Sequence, residues 1–348
     1  MGHPFDRQGM IGVEEEFYAF DPDTLEPAPA ADDLLDEPPE GLQDKLDVEL
    51  FKCVIEVRTE TASSLDEALD HVKRKREALQ DYAADNGYTM LGAGLHPTAT
   101  WRELEHTDKP RYRDQLDRIQ YPQHRNLTAG MHVHVGIDDP DRAVWIADQA
   151  RQYLPLLLAL SANSPFWQGN RTGLRSTRAV VFENLPTTGI PPSFGTWDDF
   201  KQFESTMLDT GSIADRGGIW WDARPHTGYG TVEVRVMDAQ TSLERSQGFV
   251  ILVTELIRWL DDLYPDGNTQ SHPIIEQNKW RAVRYGHDAS FIRDSEATSI
   301  HSWFDALIDD LGIDDQRVTA LIEGSGAQRQ LRDHEEGGRD QLLDGLRI

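Results

Sequence analysis

Carboxylates recur inside apolar, alternating segments of this chain: Gly12-Val13-Glu14-Glu15-Glu16, Val54-Ile55-Glu56-Val57-Arg58 and Thr231-Val232-Glu233-Val234-Arg235-Val236-Met237. Side chains on a strand alternate between faces, so Glu14 and Glu16 share one. Two like charges side by side destabilise a strand and persist cheaply when a cation lies between them, or when a solvated edge carries them. Glu56 and Arg58 also share a face, where a plain ion pair competes with a ligand role. Glu49 precedes Glu56 by seven residues, the wrong parity for one regular strand, so it needs a bend to join the same site. Met131-His132-Val133-His134-Val135 sets two imidazoles on one face, a familiar metal-ligand spacing and also that of two hydrogen-bonded core histidines. Glu233 and Arg235 project together, either as an ion pair or as a metal ligand beside a phosphate clamp.

Taken together, four strand segments each offer an oxygen or imidazole ligand on a polar face backed by an apolar one. Ligation dominated by oxygen suits Mg²⁺, or Mn²⁺, over Zn²⁺, and there is no thiolate cluster for a softer metal. Several Mg²⁺ ions on an acidic face are what phosphoryl transfer from ATP requires. The chain lacks a Walker A or G-x-G-x-x-G motif, which excludes those nucleotide sites. Arg171, Arg175 and Arg178, in the loop Asn-Arg-Thr-Gly-Leu-Arg-Ser-Thr-Arg, offer a grip on a substrate carboxylate or phosphate, or else neutralise surface acids. Cys53 lies between core positions and reads as packing.

The elements that must carry these residues are legible from periodicity. Strands are predicted over 10–20, 51–59, 89–101, 131–137 and 229–237, and residues 21–47 read as a loop or lid. A helix over 61–86 starts at a Ser63 or Ser64 cap and stops before Gly87; another spans 138–160, kinked at Pro155. Residues 104–126 are charged and helical or looped, 161–198 are loop-rich, and helices occupy 242–263 and the C-terminal third. Alternating rather than continuously apolar strands predict an α+β fold with a mostly antiparallel sheet and one polar working face.

The 348 residues show no internal composition break, so a single catalytic domain over 1–348 is expected, with a helical C-terminal region over 291–348. The formal charge of −27, from 34 Lys and Arg against 61 Asp and Glu, disfavours nucleic acid or anionic lipid as a partner. Few lysines and a diffuse acid excess also fit a protein of a high-salt cytoplasm, so acid counts alone identify no site. One cysteine excludes an internal disulfide, Met1 to Met10 lacks an apolar leader, and no run approaches the ~20 apolar residues of a membrane span. A cytoplasmic protein is the expectation.

The segments GVEEE, ELFKCVIEVRT, GLHPTATW, HVHVGI, GLRSTRAVVFENLPTTGIP, YGTVEVRVMDAQTS and NKWRAVRYG, in this order over about residues 10–290, resemble the carboxylate–amine ligase branch of the glutamate–cysteine ligase family. The resemblance implies a glutamine synthetase-like fold, a curved antiparallel sheet forming an active-site funnel with helices outside. It implies that ATP phosphorylates the γ-carboxylate of glutamate and that the amine of cysteine displaces the phosphate, giving γ-glutamylcysteine, ADP and phosphate. By the same resemblance Glu14, Glu16, Glu49, Glu56, His132 and Glu233 match the Mg²⁺ positions, Arg235 the contact to the transferring phosphate, and His134 a position where relatives vary. Arg175 and Arg178 are assigned to substrate carboxylates. Competing readings are a ligase with another amine acceptor, a two-metal hydrolase using His132, His134 and the glutamates to activate water, and a non-catalytic binding protein that keeps the fold.

Overall fold

The structure, a computed structural model, describes residues 5–348. Its strands are β1 (Ile11–Phe20), β2 (Leu46–Val48), β3 (Val54–Arg58), β4 (Thr89–Leu91), β5 (Gly130–Gly136), the small hairpin β6 (Phe166–Trp167) and β7 (Asn170–Arg171), β8 (Ala223–His226), β9 (Thr231–Asp238) and a second hairpin, β10 (Ser290–Arg293) and β11 (Glu296–Ser299), which interrupts the helical region expected over 291–348. The helices used below are α1 (Ala31–Asp36), α2 (Leu65–Asp85), α3 (Pro110–Ile119), α4 (Tyr121–His124), α5 (Pro140–Ala150), α6 (Leu154–Ser161), α7 (Thr177–Phe182), α8 (Trp197–Asp209), α9 (Leu243–Leu263) and α10 (His272–Tyr285). Three further helices, Ile300–Leu311, Gln316–Thr319 and Gly326–Asp344, complete the C-terminal third. The main sheet is open and antiparallel, in the order β2-β3-β1-β5-β9-β8, with β4 continuing on β1 beyond β5. The fold is therefore α+β with an open sheet.

Alternation decides the two faces. Val13, Val133, Val135, Val232 and Val234 bury against α2, α5, α6 and α9 in the largest apolar cluster. Helix α2 starts where its sequence says it should: the Ser64 hydroxyl accepts from the Glu67 N–H, and Gly87 follows with φ of 80°. Glu15 falls on this apolar face and is tolerated because Arg76 of α2 holds both its oxygens, at 2.9 and 2.7 Å.

Several expectations change. The 51–59 strand begins only at Val54, because β2 and β3 form a hairpin. The 89–101 strand stops at Leu91, since Gly92 and Gly94 pass so close to Gln240, Thr241 and Asp238 that a side chain would collide, and the chain turns away. The 138–160 helix breaks rather than kinks: Pro155, lacking an N–H, sits in the first turn of a new helix, α6. Residues 21–47 contain helix α1 and strand β2. Leu34, Leu42 and Leu46 pack with Phe17, Ile55 and Leu79 on the face of the sheet opposite Glu14 and Glu16. Their burial there sets the body of this segment on the far face of the sheet, while Asp44 and Lys45 reach the wall of a cavity shared with Glu14.

Candidate active site

Strands β3, β1, β5 and β9 are neighbours, so the polar positions of each come into register as cross-strand pairs. Glu16 lies opposite Glu56, Glu14 opposite both Arg58 and His132, and His134 opposite Glu233. Ligand atoms of Glu14, His134 and Glu233 lie within 4.8 Å of one another, and those of Glu16, Glu49 and Glu56 form a second such set. His132 stands between them, with Nδ1 3.0 Å from Glu14 and Nε2 3.9 Å from Glu16. His134 is thus part of the first set; its Nδ1 lies 3.1 Å from Thr231 Oγ1, and its buried Nε2 makes no hydrogen bond among the described residues.

Glu49 joins through the hairpin. Its N–H donates to the Val54 carbonyl at 3.0 Å, so the chain reverses between Glu49 and Glu56 and the parity objection for a single strand does not apply. Arg235 follows Glu233 on the same face of β9 by ordinary alternation, with Val234 and Val236 on the other; the β5–β9 register shifts there, between Met131 and Val133, leaving an extra residue on β9 opposite His132. Its guanidinium contacts Glu233 and lies 3.4 Å from His132 Nδ1.

Glu14, Glu16, Glu49, Glu56, His132 and Arg235 line a cavity of about 270 Å³ that also receives Arg178, Arg224, Arg111 and Tyr112, while Glu233 is buried behind it. A second cavity, about 250 Å³, opens on the other side of Glu14 and His134, with Lys45, Arg58 and Tyr229 on its walls. Arg178 belongs to the first. Its guanidinium lies against Gly130, where a β-carbon would come within 2.3 Å of it, and its buried Nε is unpartnered among the described residues. Arg175 and Arg171 correct the sequence reading. Arg175 pairs with Asp288 at 3.2 Å and Arg171 with Glu335 at 2.9 Å, and neither lines the cavity. Both were equivalent to Arg178 in sequence; Arg178, on α7 just after its Ser176 cap, is the one that enters the pocket beside Gly130. Arg224 escaped the sequence reading. It stands opposite Glu233 on edge strand β8 and donates to it at 2.7 Å, and the available signal was the turn sequence His226-Thr227-Gly228-Tyr229-Gly230, which joins two strands as a hairpin.

The electrostatics separate the two sets. Burial pushes Glu16, Glu49 and Glu56 up, Glu49 to about 8, with neighbouring carboxylates adding to the rise at Glu49 and Glu56 and Arg178 opposing it at Glu16. Burial also acts on Glu14 and Glu233, but the imidazoles around Glu14 and the guanidiniums of Arg224 and Arg235 around Glu233 outweigh it and hold both well below the usual range. Burial lowers His132 to about 4, helped by Arg235, while Glu233 and Glu14 overcome burial and raise His134. A set of carboxylates that resists ionisation in close quarters, made only of hard oxygen donors, fits a divalent cation such as Mg²⁺.

A stability prediction follows from these shifts. In the metal-free protein the raised carboxylates hold protons that an unfolded chain releases near 4.5, so their contribution is full below that value and is lost as pH rises through about 8. His134, also raised, acts in the same direction. His132 acts oppositely, but its contribution is complete once pH passes 6.5. Calorimetry at constant high salt should therefore show Tm falling from pH 6.5 to 8 without metal, and added Mg²⁺ should cancel the fall; a metal-free Tm that climbs over this window contradicts it.

An open antiparallel sheet that gathers two carboxylate sets, imidazoles and guanidiniums around two adjoining cavities is the kind of face on which an enzyme can handle phosphoryl groups without a P-loop. The family model described as glutamate–cysteine ligase family 2 matches residues 10–342, and the chain belongs to that family. The match includes most of the C-terminal helical region, beyond the point near residue 290 where the recognisable motifs end. Similar relatives include the glutamate–cysteine ligase of Haloferax volcanii, 53% identical over 99% of this chain and 98% of the relative, and that of Natronomonas pharaonis, 48% identical over 99% and 96%. Among solved structures, glutamate–cysteine ligase of Francisella tularensis, in complex with AMP, has the same fold (TM-score 0.68, 14% identity, 98% of this chain and 88% of that one). No helix among the described residues is long and apolar enough to cross a membrane.

Proposed function

We propose that this chain uses ATP to join the γ-carboxylate of glutamate to the amine of cysteine through an acylphosphate, releasing γ-glutamylcysteine, ADP and phosphate. The observation that carries this reading is the convergence of Glu14, Glu16, Glu49, Glu56, His132 and Arg235 on one cavity, with Glu233 buried just behind Arg235 and beside Glu14, in a member of this family. A carboxylate is a poor acyl donor, and phosphorylation turns one of its oxygens into a leaving group.

Glu14, His134 and Glu233 would hold one Mg²⁺ and Glu16, Glu49 and Glu56 another, with His132 within reach of both sets. Bound there, Mg²⁺ (or Mn²⁺) supplies neutralising charge for phosphate oxygens. The protein's own groups do the rest. Arg235, anchored on Glu233, presents a fixed positive charge where negative charge grows during transfer. Arg224 fills the other oxygen of Glu233, so that carboxylate keeps its orientation when Arg235 engages phosphate. Arg178, deep beside Glu16, offers its free Nε edge to a carboxylate of glutamate. The cavity bearing Tyr229, Lys45 and Arg58 suits a nucleotide, and the one bearing Arg178 and Arg111 suits amino acids; the two meet at Glu14.

The direct test is ADP release at high salt with glutamate, with and without cysteine, together with mass detection of the dipeptide. Turnover that ignores the amino acids, or hydrolysis without ATP as a two-metal hydrolase would give, defeats the proposal. Arg178→Met should raise KM for glutamate about tenfold to a hundredfold, as expected for loss of a charged hydrogen bond, with a smaller change in kcat. Asp238 stays satisfied in that variant through Asn163, Ser164 and Ser176, so circular dichroism should be unchanged.

A further inference from the structure

Helices α3 and α4 roof one side of the amino-acid cavity, yet only Tyr112 of α3 is buried. The roof is held by polar clips. Lys109 contacts Asp47, Tyr112 donates to the Val48 carbonyl at 2.7 Å and lies 3.4 Å from Glu49, and Arg118 donates across the mouth to the Ser212 carbonyl at 2.6 Å. The stretch 109–125 carries Lys109, Arg111, Arg113, Arg118 and Arg125 against Asp114 and Asp117, a basic segment in an acidic chain, laid over an acidic cavity. Of its cations, Arg111 lines the cavity.

Arg111 is anchored at one end only. Its Nη2 donates to Tyr112 Oη at 2.6 Å and to the Val48 carbonyl at 3.2 Å and lies 3.4 Å from Asp47, while Nε and Nη1 have no hydrogen-bond partner among the described residues. The ligation proposed above needs two amino acids, each with an α-carboxylate, inside a cavity whose floor repels carboxylates. Among the guanidiniums lining it, Arg224 and Arg235 are engaged by Glu233. Arg178 and Arg111 are held more loosely by carboxylates, 3.8 Å from Asp238 and 3.4 Å from Asp47, and each keeps an N–H edge without a partner among the described residues. Arg178 lies deep beside Glu16, where the donor must sit to be phosphorylated; Arg111 lies at the half-open mouth, where the amine arrives after the donor is activated. Resting on that reading of the site, we propose that Arg111 binds the α-carboxylate of the acceptor amino acid and makes the enzyme selective for α-amino acids over simple amines.

The test compares cysteine with cysteamine, which keeps the amine and thiol and lacks the carboxylate, in wild type and in Arg111→Met. The wild type should prefer cysteine by about tenfold to a hundredfold in kcat/KM, and the variant by less than about threefold, with KM for glutamate and ATP unchanged. Arg111→Lys should restore part of the preference. Because the Arg111 side chain is half exposed, folding should survive either change, checked by circular dichroism. A cysteine preference that persists in Arg111→Met overturns the inference while leaving the ligase reading intact. Absence of any γ-glutamyl product from the wild type with either amine defeats the reading of cysteine as the acceptor itself.

Discussion

Glu56→Gln should abolish glutamate-dependent ADP release, by about a thousandfold or more, while making the metal-free protein more heat-stable at pH 8. Glu56 is buried opposite Glu16 and beside Glu49, and its proton affinity is raised first by burial and then by Glu14, Glu49 and Glu16. Arg58, 3.6 Å away and a third exposed, compensates only in part. The neutral amide relieves the repulsion and removes one hard donor from the set of three. Activity and stability should therefore move in opposite directions, a result no general unfolding can imitate. Isothermal titration should show weaker Mg²⁺ binding in the variant, and wild-type turnover would refute the role given to this carboxylate.

Arg235→Met should lower kcat by about a thousandfold or more, the scale seen when an arginine that stabilises a transferring phosphoryl group is lost. Burial opposes the charge on Arg235, but Glu233 and the nearby carboxylates hold it firmly protonated. If its work is done in the transition state, kcat and kcat/KM for ATP fall together while the KM for ATP changes little. Glu233 keeps Arg224 as a partner, so the buried charge is not abandoned and Tm should change by a few degrees at most. A variant that loses nucleotide affinity but keeps kcat would reassign Arg235 to ground-state binding. Arg235→Lys separates charge from shape: a single ammonium cannot hold Glu233 and face a phosphate in the same fork geometry, so it should recover only part of the rate.

Much of the site was legible because a strand's period is two. Glu14 and Glu16, His132 and His134, and Glu233 with Arg235 share faces for that reason alone, and Val13, Val133 and Val234 at the alternate positions announce the buried side. The Ser64 cap and Gly87 mark the ends of α2 in the same local way. Arg171, Arg175 and Arg178 show where local reasoning runs out: three arginines in nine residues have one composition and three fates, decided by Glu335, Asp288 and the pocket beside Gly130.

Glu49 and Arg224 needed long-range information for a related reason. Whether a seven-residue spacing means one strand or a hairpin depends on which segment pairs with which, and Arg224 matters only because β8 closes onto β9. The same holds for residues 21–47, whose leucines found the face away from the cavity, and for α3 and α4, which hold the roof position instead. The sequence by itself determined which side chains share a face and where helices begin, since those follow from bond geometry and neighbours a few residues away. Only the tertiary structure decided which faces meet, which loop arginine turns inward and what covers the cavity, because each depends on contacts between segments far apart in the chain.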